Sequence, residues 1–281
     1  MKQYLDLVKH VLDNGTYSGD RTGTGTYSVF GYQVRYPAMP FPILTTKSVS
    51  FKNIVGEALW FLTGKTNVEQ LRALTHGPDS TKRTIWDDNY ENQARALGYH
   101  SGELGPVYGK QWRCFGGRDQ LFDVIEKLKN NPRDRRMVVS AWNPGELDYM
   151  ALPPCHLLFQ FYSINNVLSI QWYQRSQDVF LGKPYNLSSY ALILNIVAKM
   201  VGMEVGEVIC SSGDTHIYSN HVEQCKEQLS REPRALPTLV MPEFPTGTTE
   251  DQLKFLETLT ANDFKLVGYN PHPAIKAKMA I

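Results

Sequence analysis

Cys155 stands between a Pro-Pro pair and His156, in Leu152-Pro153-Pro154-Cys155-His156, at the entrance to two β-rich runs, LLFQFYSI and VLSIQWYQ, joined by Asn165-Asn166. Paired asparagines tolerate the positive φ angles of a two-residue turn, so the runs read as a hairpin. Pairing Ile164 with Val167 sets Cys155 opposite Ser176 and His156 opposite Arg175; a single bulge would instead bring Cys155 opposite Arg175. In either register a thiol and a guanidinium come close, and a nearby cation stabilises the thiolate that a nucleophile needs. A lone cysteine is more often structural. The hairpin and the Pro-Pro entry favour chemistry at Cys155, while Cys114, Cys210 and Cys225 read as structural.

Other side chains invite a functional reading, each beside a plainer one. Glu57 falls between Trp60 and Phe61 on a helical wheel, which would raise its pKa and suit it to moving protons, unless the helix turns it to solvent. Arg133, Arg135 and Arg136, in PRDRRMVV, make either a phosphate clamp or a solvated charged turn. Arg21 lies in DRTGTGT, whose glycines match neither a Walker A loop nor a dinucleotide fingerprint. The segment Gly213-Asp214-Thr215-His216-Ile217-Tyr218 packs polar groups into a strand-to-helix junction, for a sugar hydroxyl or for capping. Asn186 pairs an amide donor with a carbonyl acceptor, as the edge of uracil requires, or simply opens a helix.

The elements that must hold these residues follow from periodicity. Residues 2–13 read as an amphipathic helix stopped by Asn14-Gly15, and Asn53 to Thr63 and Asp119 to Lys129 as further helices. Thr24 to Tyr36 reads as strand with a bulge or bend at its glycines, Met137 to Trp142 as strand, and Ser188 to Val201 as an apolar helix. Residues 232–250, rich in Pro, Thr and Gly, read as a surface excursion. The expected class is α+β, a single domain over residues 1–281.

Composition narrows the function. With 281 residues, 42% hydrophobic, the chain can bury a large core and is unlike a disordered protein. Lys+Arg 29 against Asp+Glu 28 leaves a net charge of +1, which argues against an extended surface for nucleic acid or anionic membrane. The four cysteines form no C-x-x-C pair and no H-E-x-x-H occurs, so a metal centre is not expected. Charges interrupt the N-terminal apolar residues, and Tyr190 to Met203 is too short to span a bilayer, giving the expectation of a cytoplasmic, reduced protein without a membrane role.

Taken together the blocks DRTGTGT, GEALWFLTG, TIWD, GELGPVYGKQWR, DRRMVVSAWNPGELDYMALPPCHLLFQFY, QWYQRSQDVFLGKPYN, GDTHIYSNH and GYNPHPAIKAKMAI resemble the thymidylate synthase family along essentially the whole chain. The NYENQARALGYHSGE segment is similar to the T4-like phage members. The resemblance implies a mixed or largely antiparallel sheet packed by helices, with one sheet face forming a homodimer interface. It implies reductive methylation of dUMP to dTMP, with 5,10-methylenetetrahydrofolate donating the one-carbon unit and the hydride, and no metal. Cys155 would be the nucleophile adding to C6, with Glu57, Tyr108 and His156 in the network that moves protons. Arg21, Arg175 and Ser176 would bind the phosphate, with Arg135 and Arg136 entering from the partner subunit. Asn186 would read the uracil edge, His216 and Tyr218 the ribose, and Asp178 the nucleotide and the folate. Trp86, Leu152, Gly182, Tyr185 and the terminal Ala280 would complete the folate surface. Some positions depart from the common pattern: Ser48 follows Lys47, Asn89 stands where a second Trp is frequent, and the tail reads Ala277-Lys278-Met279. Tyr185 replaces the usual Phe, so its hydroxyl needs a partner if buried.

Two rivals remain at this level. A nucleotide hydroxymethylase on the same fold would let water add in place of hydride. A non-catalytic nucleotide- or RNA-binding protein would use the PRDRR cluster, against the near-neutral charge.

Overall fold

The computed structural model describes residues 1–19 and 23–278. Helix α1 (Lys2–Asn14) buries Tyr4, Leu7, Val8 and Val11 on one face, with Leu5 and Leu12 half-buried at its edges. A short strand β1 (Thr16–Ser18) precedes the long β2 (Thr26–Pro37). Helix α2 (Phe51–Leu62) starts at Ser50, whose hydroxyl accepts from the Asn53 N–H, and α3 (Val68–His76) starts at Asn67 in the same way. Two short helices, α4 (Trp86–Asn89) and α5 (Tyr108–Arg113), lead to α6 (Gln120–Asn130), capped by Asp119. After β3 (Val138–Ser140) comes the hairpin of β4 (His156–Ile164) and β5 (Val167–Asp178). Helix α7 (Gly182–Val201) carries the chain back to β6 (Glu204–Tyr218), followed by α8 (Val222–Leu229). The remainder is β7 (Thr238–Val240), α9 (Thr249–Thr258) and β8 (Lys265–Val267).

The main sheet runs β1-β2-β6-β5-β4-β3. Its pairs are antiparallel apart from β5 with β6. A parallel pair needs a crossover, and α7 supplies it. That helix is apolar around nearly its whole circumference and lies in the core, as an all-round apolar helix must. Strand alternation separates two sheet faces. Val34, Tyr36, Phe159, Phe161, Ile170, Trp172, Val208 and Cys210 are buried beneath helices, whereas Leu158, Tyr162 and Tyr173 stay exposed on the other face.

Asn165 and Asn166 adopt φ of 50° and 61°, the pair of positive angles a two-residue hairpin of right-handed twist demands. Ile164 pairs with Val167 and the register holds to Leu158–Tyr173, then shifts so that His156 faces Gln174. The extra residue is Leu157, and the bulge is the one that moves Cys155 from Ser176 to Arg175.

The structure refines three local expectations. Gly31 has φ of 84°, yet the β2–β6 register is the same on both sides of it, so the glycine bends the strand without a bulge. Gly213 to Tyr218 is the last part of a continuous β6, with the turn to helix coming after Tyr218. The 232–250 segment contributes β7, which pairs with β8 in a small second sheet.

One residue of the core is a lysine. Lys183, on the first turn of α7, is fully buried, its Nζ beside the Cys210 thiol and 4.9 Å and 5.6 Å from the ring centroids of Trp172 and Tyr36, with no carboxylate or carbonyl bonded to it among the described residues. Burial lowers its pKa from 10.5, with the Cys210 thiol opposing the shift in part. The folded state therefore binds fewer protons than the unfolded chain between the lowered value and 10.5, so this group's penalty fades as pH rises through that window. Lys183→Met should raise stability at pH 7 by about 1–3 kcal/mol. Urea unfolding of both proteins checks this, and the gap should narrow at alkaline pH.

Candidate active site

The ends of three adjacent strands meet beside the start of α7. Cys155 enters β4, Arg175 and Ser176 lie near the end of β5, and Asp214 and His216 face Ser176 and Asp178 from β6. The Arg175 N–H donates to the Cys155 carbonyl at 2.8 Å, which locks the bulged register. Arg175 Nη2 lies 4.0 Å from Cys155 Sγ, while its Nε and Nη2 donate to the carbonyls of Pro154 (2.8 Å) and Pro153 (3.1 Å). The Pro-Pro entry thus presents two carbonyls that aim the guanidinium. Gly213 explains the tight fit on the far side, since a Cβ there would sit 3.0 Å from the Arg175 carbonyl oxygen.

Arg175 favours the thiolate as expected, but desolvation outweighs it. Burial pushes the Cys155 pKa up, and Arg175 pulls it down by less. A guanidinium at 4.0 Å, already engaged by two carbonyls, does not offset the desolvation of a thiolate.

A wall of aromatic rings closes the other side. Tyr108 accepts the Cys155 N–H at 2.7 Å and stacks on His156, with ring centroids 4.1 Å apart. Phe61 sits edge-on to Trp86, Trp112 and His156. Within this wall Trp86 Nε1 donates to Glu57 Oε1 at 2.7 Å. Burial raises Glu57 to about 7, against the lowering effect of the Trp86 hydrogen bond. His156 is driven the other way, to about 3, because burial disfavours its cation. Its Nδ1 meets the Tyr190 hydroxyl at 2.8 Å, so near neutral pH the ring is a neutral hydrogen-bonding group. Burial raises the Tyr185 pKa, with the backbone of Ser50 opposing the shift.

Asn186 is reached from β5: Gln174 Nε2 donates to its Oδ1 at 3.2 Å. Gly182 brings α7 close, since a Cβ at that position would lie 3.6 Å from Asp178 Cβ and 3.8 Å from Asn186 Oδ1. Asp178 Oδ1 accepts from the N–H groups of Phe180 (2.9 Å) and Leu181 (3.1 Å), fixing the carboxylate at the turn into α7. His216 Nδ1 is 3.0 Å from Asp214 Oδ1, and the Tyr218 ring lies edge-on to the His216 ring at 5.2 Å. Leu152 is half-buried in the approach to Cys155.

Two predicted residues stand apart. Arg135 and Arg136 are exposed before β3; the Arg135 carbonyl accepts from Gln160 Nε2 at 3.3 Å, and Phe161 N–H donates to the Met137 carbonyl at 2.9 Å. The β3–β4 register carries Arg136 to about Tyr162, so the two arginines flank β4 about seven residues beyond Cys155, roughly 23 Å away at about 3.3 Å per residue. Arg21 and Ala280 lie outside the described residues. Among the described residues no cluster of His, Cys, Asp or Glu could hold a metal ion, and no helix is long and apolar enough to cross a membrane.

The family sequence model described as thymidylate synthase matches residues 2–281. Thymidylate synthase of Enterobacteria phage T4 is 54% identical over 286 residues, covering 100% of both chains. A probable thymidylate synthase of Escherichia phage T5 is also 54% identical, over 283 residues and 100% of both. The chain belongs to the thymidylate synthase family. The crystal structure of thymidylate synthase from T4 phage superposes with a TM-score of 0.95 at 54% identity, covering 100% of both chains. The activity is that of a thymidylate synthase, a methyltransferase, and the α+β fold with a mixed sheet is that family's.

Against that family background, sequence reasoning overlooked Gln174, Tyr190 and Lys47. Gln174 occupies an inward position of β5, where a two-residue period calls for an apolar side chain, and that mismatch is a readable signal. Tyr190 is a hydroxyl inside the apolar helix, a similar mismatch. Lys47 is buried with its Nζ donating to the Phe180 carbonyl at 2.6 Å, and burial lowers it to about 8; nothing in its flanking sequence signals this.

Glu57 offers a direct test of the site's electrostatics. Its raised pKa means that the folded state binds more protons than the unfolded chain from 4.5 to about 7, so this group's contribution to stability falls as pH rises through that range. Trp86→Phe removes a hydrogen bond that favours the carboxylate, so Glu57 should titrate above about 7 in that variant. Carboxyl carbon NMR of labelled Glu57 checks the shift; a downward move would contradict it.

Proposed function

We propose that the chain converts dUMP to dTMP with 5,10-methylenetetrahydrofolate, in one catalytic domain working in the cytoplasm. The observation that carries this reading is the Cys155 thiol 4.0 Å from the Arg175 guanidinium at the strand ends, with Asn186 tied to the same strand through Gln174. C5 of uracil is a weak nucleophile. Addition of the Cys155 sulfur to C6 makes C5 enolate-like and able to attack carbon. The bound folate supplies the one-carbon unit and then the hydride. Its donor and aromatic complement is present in Trp86, Tyr185, the fixed Asp178 carboxylate and the side-chain-free Gly182, with Leu152 and Ala280 assigned to the same surface.

The remaining residues hold and move. Arg21, Arg175 and Ser176 bind the phosphate, and His216 and Tyr218 bind the ribose. Asn186 pairs its amide with N3–H and O4 of the base. Glu57, poised at about 7, exchanges protons near O4 and C5, through the polar network of Tyr108 and neutral His156. Burial disfavours the Cys155 thiolate and Arg175 opposes that shift, so the guanidinium favours the attacking form of the sulfur. The aromatic wall excludes water, which would otherwise compete with hydride for the activated carbon. Incubation with dUMP and methylenetetrahydrofolate should yield dTMP and an absorbance rise from dihydrofolate. Cys155→Ala should lower turnover by more than about 10⁴-fold. Formation of 5-hydroxymethyl-dUMP without dihydrofolate would establish the hydroxymethylase instead.

The reading includes a homodimer. The outward sheet face exposes Leu158 (37%), Tyr162 (58%), Tyr173 (37%) and Val138 (37%), more contiguous apolar surface than a sheet face in water normally carries. Arg135 and Arg136 sit too far along β4 to reach their own Cys155, which supports their service to a partner's phosphate site. Leu158→Arg combined with Tyr162→Arg should give a monomer by sedimentation with activity lost. A fully active monomer would refute the shared site.

A further inference from the structure

Gln174 and Asn186 are amides, and an amide can rotate by half a turn with little change of shape while exchanging its donor and acceptor. Something must therefore decide which way each one points. Trp172 Nε1 donates to Gln174 Oε1 at 3.1 Å. An indole N–H can only donate, so the atom facing it must be the oxygen. The indole itself cannot turn away, being fully buried and stacked on Tyr190 with centroids 4.6 Å apart and planes at 10°. At its other end Gln174 Nε2 donates to the Ser176 backbone carbonyl at 3.0 Å, a group that can only accept.

We infer that Trp172 is a positioning residue that sets the polarity of this amide chain and thereby the base preference of the site. The inference rests on the reading of Asn186 as the residue facing the pyrimidine. With Gln174 fixed, Asn186 meets a donor and turns Oδ1 toward it, at 3.2 Å. The second lone pair of that oxygen then accepts from N3–H of uracil and Nδ2 donates to O4. Cytosine presents the reverse pattern, an acceptor at N3 and a donor at C4, and is opposed at both atoms. Gln177 Nε2 reinforces the arrangement by donating to Gln174 Oε1 at 3.2 Å. Gln177 is itself an amide whose Oε1 has no partner among the described residues and whose Nε2 also contacts Cys210 Sγ at 3.2 Å, so it follows the polarity and does not choose it. Trp172 alone among the side chains bonded to Gln174 has a single possible role.

The test is the ratio of dissociation constants for dCMP and dUMP, measured by calorimetry on the full-length protein without folate. Trp172→Phe keeps a stacked ring and deletes the N–H; the ratio should fall by about tenfold, and by more with Gln177→Met added. Replacing Trp172 with benzothienylalanine, which has the same outline with sulfur in place of N–H, should give the same fall where Trp172→Phe fails to fold. A purely packing role for Trp172 would weaken both nucleotides together, and an unchanged ratio in the benzothienylalanine protein overturns the inference. Failure of the unsubstituted protein to bind dUMP would instead bring down the proposed function and this inference with it.

Discussion

One extra residue in one strand sets Cys155 against Arg175. Without the bulge at Leu157 the antiparallel register would continue from Leu158–Tyr173 and place Cys155 against Ser176. With it, the Arg175 N–H closes on the Cys155 carbonyl, and the guanidinium turns back to the two proline carbonyls. The register of β5 is in turn fixed on its other side by the parallel pairing to β6, where Gly213 allows the Arg175 backbone to approach. A bulge displaces its strand locally and is costly to move, since shifting it by one residue would reverse which side chains face the core. Cys155, the proposed nucleophile, is therefore held by backbone hydrogen bonds as well as by contacts of its own side chain.

Burial acts on the ionisable groups here in a consistent direction. The charged form is disfavoured in each case, which raises Glu57 and Cys155 and lowers His156 and Lys47. The outcomes differ because the partners differ. Glu57 keeps one hydrogen bond from an indole, enough to leave it near 7, whereas His156 meets only a neutral hydroxyl and rings and cannot hold a proton at that pH. One aromatic wall thus makes one group able to exchange protons at neutral pH and the other a fixed neutral contact. The thiol is the group for which low polarity is a hindrance, and Arg175 offsets only part of it.

The hairpin was the most legible part of the fold. Two β-rich runs around Asn165-Asn166 determine a turn type, the turn determines a register, and the register carries Cys155 to within one bulge of Arg175. The amphipathic α1 and the apolar α7 were similarly plain, because their periodicity is local. Less was legible where position depends on the meeting of distant segments. Lys183 sits where the sequence shows only a charged residue after a glycine, and its burial follows from the way α7 crosses the sheet. The pairing of β7 with β8 joins segments far apart in the chain and too short to announce themselves. The net fall in thiolate stability could not be read at all, because it depends on how much water the aromatic wall excludes around Cys155.

The two sheet faces give the proposed dimer a geometrical logic. The inward face is filled by α7 and the other helices, so covering Leu158, Tyr162 and Tyr173 calls for a surface of equal size and similar outline. A second copy of the same face supplies this, and a two-fold axis is the symmetry that pairs a patch with itself. Such an axis, lying between the two faces and across the strands, runs the two β4 strands in opposite directions. The end of one strand that carries Gln160 and the adjoining Arg135 then approaches the end of the other that carries Cys155. In the proposed dimer, the offset that keeps these arginines from their own Cys155 would be the one that delivers them to the partner's. On that proposal the apolar face and the phosphate site would be one requirement, since covering the first would complete the second.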